Sequence, residues 1–137
     1  MRPAVRKPRP EASAIARRVR GRHLNAATGS PALPVIVTDA REFVADRAWG
    51  ARDLAEVEGA SVRLHWTDQP YIWHVNDGAE VFVVLDGAVE MRYREAGQEK
   101  TVRLGPADMF IAGVGDEHVA HPIGAARILV VERKGSV

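Results

Sequence analysis

Three residues frame the chemistry open to this 137-residue chain: His74, Asn76 and Glu80. His74 and Asn76 stand two apart, so on a strand they project to one face. Glu80 follows across a turn signalled by Asn76, Asp77 and Gly78. It opens the run Glu80-Val-Phe-Val-Val-Leu-Asp-Gly87, which stays apolar until Asp86-Gly87, a hairpin signal. A carboxylate at the head of an apolar strand points toward a sheet or barrel core, where an unpaired charge is expensive. It needs a proton, a cation from Arg or Lys, or a metal ion shared with His74.

The elements that must position these residues are short strands. Val35-Ile36-Val37 reads as the first, followed by a helical turn over Ala40-Arg41-Glu42-Phe43 capped by Thr38 or Asp39. Ala55 and Val57 precede a turn at Glu58-Gly59. Ser61 to Trp66 alternates, with Val62, Leu64 and Trp66 on one face and Arg63 and His65 on the other. Tyr71 to Val75 is a strand, and Val89, Met91 and Tyr93 mark another. Further strands are expected over 101–104, 109–112, 117–120 and 126–132, separated by turn signals. Nine or ten short strands with almost no helix predict an all-β antiparallel barrel or jelly-roll sandwich.

Composition narrows the function classes. With 46% hydrophobic residues the chain can bury one domain's core. It has no cysteine, which excludes disulfides, thiolate metal sites and Cys nucleophiles and suits a cytoplasmic protein. No apolar run approaches a membrane span, and the basic N-terminus lacks a signal-peptide core. Residues 1–24 hold eight Lys or Arg against Glu11 alone, so the remainder is acidic on balance. Nucleic acid is therefore not the expected ligand of the fold, although the basic tail is of a kind that touches it. Residues 1–33, punctuated by proline, read as a disordered or extended arm, and 34–137 as the domain. There is no phosphate-cradling Gly loop and no Ser nucleophile elbow.

Two stretches share a pattern: His74-Val-Asn76-Asp-Gly-Ala-Glu80 running to Gly87, and Gly105-Pro-Ala-Asp108-Met-Phe-Ile-Ala-Gly-Val-Gly115-Asp-Glu-His118. Together they resemble the two motifs of the cupin superfamily, in its small single-domain bacterial cupin-2 type. The resemblance implies that His74, Glu80 and His118 are metal ligands. Asn76 stands where the family usually has a second His and would be at most a weak fourth ligand. Two His and one carboxylate still form the triad of non-haem iron sites. The implied cofactor is a divalent ion: Fe, Mn, Zn or Ni. The implied function is a metal-dependent enzyme, oxygenase- or lyase-type, acting on a small polar metabolite. The alternatives are a metal-free small-molecule-binding cupin or a sugar-phosphate isomerase-like protein, the last needing a cationic clamp from Arg63, Arg92 or Arg94.

Candidate substrate-binding residues are His65, Tyr71, Phe82, Met91 and Phe110. His65 is assigned either to the barrel lining or to a satisfied strand position. His121, three residues from His118, faces away on a regular strand. Val81, Val83 and Leu85 give the central strand a second apolar face, which fits a homodimer.

Overall fold

The computed structural model describes residues 33–136. Residues 1–32, nearly all of the expected arm, and Val137 lie outside the described residues. Seven strands make one antiparallel sheet: β1 (Gly50–Val57), β2 (Ala60–Thr67), β3 (His74–Val75), β4 (Glu80–Glu95), β5 (Gln98–Leu104), β6 (Met109–Ala112) and β7 (Glu117–Arg133).

Two strands dominate. β4 and β7, of 16 and 17 residues, pair with each other along nearly their whole length. The first part of β4 joins the end of β7, with β6 on one flank and β2 then β1 on the other. The second part of β4 joins the start of β7, flanked by β5 and β3. The sheet thus folds over on itself into two layers, and their inner faces enclose the core. Phe82, Val84 and Ile128 from one layer meet Val89, Met91 and Ala120 from the other, all buried.

Asp86-Gly87 is therefore not a hairpin. The ladder shifts register between Val84 and Asp86 and again between Asp86 and Ala88, the signature of a bulge. Val84 and Val89 are both fully buried. Five residues apart on a regular strand they would face opposite sides; the bulge reverses the alternation so that both layers present apolar residues inward. Gly87 has φ +79°, and a Cβ there would lie 2.3 Å from the Ala125 carbonyl oxygen, so this approach of two backbones requires glycine. Arg127 braces the bend, donating from Nη1 to Asp86 (3.1 Å) and from Nε to the Phe43 carbonyl (2.8 Å).

Other expectations shift similarly. Residues 117–120 and 126–132 are halves of β7 rather than two strands. Val35–Val37 forms no strand; the helical turn survives as a 3-10 turn at Ala40–Glu42, but the expected side-chain cap does not form, since Asp39 at the cap position makes no capping hydrogen bond. Only His74 and Val75 of the 71–75 segment are in a strand. The count falls to seven through the two fusions in β4 and β7 and the loss of Val35–Val37, and the all-β antiparallel class stands. No helix among the described residues is long and apolar enough to cross a membrane.

Candidate functional site

The register brings the chemistry together. On the first layer's inner face, Ser61, Glu132, Glu80 and Ala112 form one row across four strands, and Arg63, Val130, Phe82 and Phe110 form the next. On the second layer, His74 pairs with His118 and His118 with Tyr93. Glu80 and His118 thus face each other from different layers, and His118 Nε2 lies 3.1 Å from Glu80 Oε1. Both are buried, at 7% and 2% exposure. The ligating atoms of His74, Glu80 and His118 all lie within 4.8 Å of one another.

Each imidazole is held by a distinct contact. His74 Nδ1 is 3.0 Å from the Ile72 carbonyl oxygen. A carbonyl only accepts, so Nδ1 donates there and Nε2 is the nitrogen not tied to the backbone. This is the outer bond typical of a metal-ligating His. The His118 ring packs on His74 (centroids 4.3 Å) and on Phe110 (5.2 Å). Its Nδ1 is buried with no hydrogen-bond partner, so packing and Glu80 alone orient the ring.

Glu132 completes the polar cluster. It stands directly opposite Glu80 in the ladder, and the two carboxyls share a hydrogen bond. Burial, the bond to Glu80 and the charge on Glu80 push the Glu132 carboxyl up to about 8, against the pull of Arg63. Burial also acts to raise Glu80. The hydrogen bonds from His118 and Glu132 and the charges on His118 and His74 outweigh it, so Glu80 sits below its ordinary value. At neutral pH Glu132 is the proton donor and Glu80 the carboxylate.

These groups open onto a cavity of about 250 Å³. His74, Glu80, His118 and Glu132 are at its wall, with Arg63, His65 and Ser136; Trp49, Tyr71, Phe82, Ala120 and Val130 supply the apolar surface. Of the expected substrate-contacting residues, His65, Tyr71 and Phe82 line this space. Met91 does not: it is fully buried in the core between the layers. Phe110 stands behind the His118 ring and does not line the cavity. Asn76 is also off the cavity wall. It is buried, its Nδ2 donates to the Gly78 carbonyl (3.3 Å), and its Oδ1 has no partner. Its backbone holds the 113–116 loop, accepting from Gly115 N and donating to Asp116 O, each at 2.8 Å. His121 pairs with Glu90, off the cavity.

Sequence reasoning missed Glu132 and Trp49. The signal for Glu132 was parity: Ile128, Val130 and Glu132 share the inner face, so a carboxylate follows two core residues. Trp49 carried no such signal. It lies outside the strands at φ +59°, donates from Nε1 to the Gln69 carbonyl (2.9 Å) and packs on Tyr71 and His65. Ser136, unremarkable in sequence, lines the cavity and donates to Asp77 (2.7 Å).

The fold is that of the cupins. A cupin-2 domain protein from Shewanella frigidimarina NCIMB 400 superposes with TM-score 0.63 at 23% identity, covering 73% of this chain and 95% of that one. A cupin superfamily protein from Desulfitobacterium hafniense DCB-2 gives 0.61 at 14% identity, over 76% and 94%. An Fe3+ complex of hydroquinone 1,2-dioxygenase gives 0.59 at 13% identity, over 66% of this chain and 29% of that one. No protein-family model matches the sequence, and no curated protein matches it.

Proposed function

We propose that the protein is a divalent-metal-dependent cupin enzyme, oxygenase- or lyase-type, acting on a small polar metabolite held in the cavity. The observation that carries this reading is the convergence of His74, Glu80 and His118 from three strands and two layers onto one buried point of the cavity wall. The donor set fits a divalent ion: two imidazoles, one carboxylate already ionised, and a His74 Nε2 left free by the bond to Ile72. Such a triad leaves positions open to substrate, and a bound ion would supply Lewis acidity or oxygen activation there. The Fe3+-bound dioxygenase is one chemistry hosted on this fold, which supports the reading by analogy.

The chain's own groups do the rest. Glu132 keeps its proton and donates a hydrogen bond to Glu80, which fixes that carboxylate's orientation. Trp49, Tyr71 and Phe82 exclude water and give a small organic molecule apolar surface. Arg92 is engaged by Glu90 and Arg94 by Glu117, and neither lines the cavity, so the cationic clamp of a sugar-phosphate isomerase reduces to Arg63.

Calorimetric titration of the untagged, chelator-treated protein with Fe(II) (without oxygen), Mn(II), Zn(II) and Ni(II) tests the reading. One saturable site per chain is expected for at least one of them. Saturable binding by none would leave the metal-free binding protein, the reading that the direct Glu80–His118 bond favours.

A homodimer is part of the same proposal. On the outer face of the first layer Ile111, Val81, Val131 and Val62 form one continuous row, and Met109, Val83, Leu129 and Leu64 the next. Leu64 at the far end is fully buried and the residues between are half-buried, whereas Ile111 and Met109 at the sheet edge are 69% and 60% exposed; this apolar edge suits a second copy of the chain. Sedimentation of a monomer at micromolar concentration would count against it.

A further inference from the structure

The cavity holds a third imidazole that takes no part in the triad. His65 projects from β2, two residues beyond Arg63, on the wall formed with Trp49. Its Nδ1 lies 3.2 Å from the Trp49 carbonyl oxygen. That oxygen can only accept, so Nδ1 carries the proton and Nε2 is the basic nitrogen. Among the described residues Nε2 bonds no protein group, and it is not among the buried polar atoms left without a partner, so solvent in the cavity reaches it. Trp49 is itself fixed by its bond to Gln69 and by packing on Tyr71, and it adopts a positive φ that a bulky residue takes only under constraint. The tautomer of His65 is thus set by a rigid, strained support, a pattern found at working sites more than at idle ones.

We propose that His65 is the proton acceptor of this site, taking the hydroxyl proton of a small, weakly acidic substrate at Nε2. The O–H bond breaks with its electron pair left on the substrate oxygen, and an N–H bond forms at Nε2. Nδ1–H stays on the Trp49 carbonyl, and the resulting imidazolium faces the carboxylates of Glu80 on β4 and Asp53 on β1 while Arg63 on its own strand opposes it. Burial first, and Arg63 to a smaller degree, hold His65 below the ordinary imidazole value, against the bond to Trp49 and the two carboxylates. It is therefore unprotonated and ready to accept at neutral pH. The aromatic walls and the volume of about 250 Å³ suit a molecule the size of a substituted phenol. The assignment rests on the enzyme reading for its purpose, but its test needs no metal.

Nitrogen-15 NMR of the metal-free protein at neutral pH is expected to show His65 as the neutral Nδ1–H tautomer; a neutral Nε2–H tautomer or an imidazolium would overturn the proposal. Titration with 4-nitrocatechol, at a pH low enough that the free probe keeps its proton, is the second arm; its ionisation is read in the visible spectrum. The wild type is expected to bind it ionised while the His65 signals move to those of an imidazolium. His65→Gln, which keeps a polar side chain, is expected to bind it un-ionised. Failure of the wild type to bind, or ionisation equal in the variant, would contradict it. Metal titration of His65→Gln separates the two readings: an unchanged metal site with a changed probe spectrum supports this proposal, whereas loss of the metal site assigns His65 to the ligand set instead.

Discussion

His74 and His65 begin alike. Each fixes Nδ1 on a backbone carbonyl, Ile72 for one and Trp49 for the other, and each turns Nε2 to the same cavity. Their surroundings separate them. His74 lies beside His118 and Glu80, so three donors converge and one cation satisfies all of them. His65 has no second imidazole beside it, and its nearest strand neighbour on that face is Arg63, already paired to Asp53 at 2.7 Å. On the proposed reading, the same residue held the same way serves as a ligand in one wall and a base in the other. What decides is whether a buried carboxylate and a second His share the point it faces.

The largest expected effect comes from breaking the triad at its most buried member. His118→Ala should abolish stoichiometric metal binding. It should also leave Glu80 without its partner, and losing one side of a buried pair costs about 3–5 kcal/mol. Urea denaturation of the metal-free variant measures the stability loss separately from the metal. Next, His74→Gln and His65→Gln should part company. The first removes a ligand and should weaken metal binding by more than the roughly 10–100-fold typical of losing an outer-shell partner; the second should leave it unchanged. Equal losses in the two titrations would erase the distinction between the walls.

A smaller effect is expected at Glu132. Its pKa in the folded chain, about 8, lies above its ordinary carboxylate value. The stability linked to its proton is therefore full below the unfolded value and is lost as pH rises through about 8. The metal-free wild type should lose stability between about pH 5 and pH 9, on the order of 1 kcal/mol after allowing for solvent screening of a partly buried group. Glu132→Gln should flatten that slope, which thermal melts across the range would show. Smallest of all, Asn76→Ala should leave metal affinity unchanged while costing about 1 kcal/mol for the lost bond to Gly78. A marked fall in affinity would return Asn76 to the ligand set.

In the sequence Glu80 stands out by itself, as a charge leading an apolar strand near His74; His118 joins them only through the resemblance of the 105–118 stretch to the second cupin motif. The sequence was silent where pairing decides. Parity with Ile128 and Val130 turns Glu132 inward, but its partner, Glu80, some fifty residues away, comes only from the register. Asp86-Gly87 reads equally as a hairpin or a bulge, and the β7 strand running past it settled the matter. Trp49 is placed by a loop conformation with no periodicity. Met91 and Phe110, expected as pocket walls, do lie on inner faces, but alternation along a strand cannot separate core from cavity wall. Asn76 shares His74's parity only while the strand continues, and here it ends at Val75.

The central claim is that His74, Glu80 and His118 hold one divalent ion. Elemental analysis of untagged protein, after reconstitution with Fe(II), Mn(II), Zn(II) or Ni(II) and removal of excess ion, tests it most directly. The account predicts close to one bound ion per chain for at least one metal, lost in His118→Ala. A content well below one for every metal, or an equal content in the variant, would contradict it.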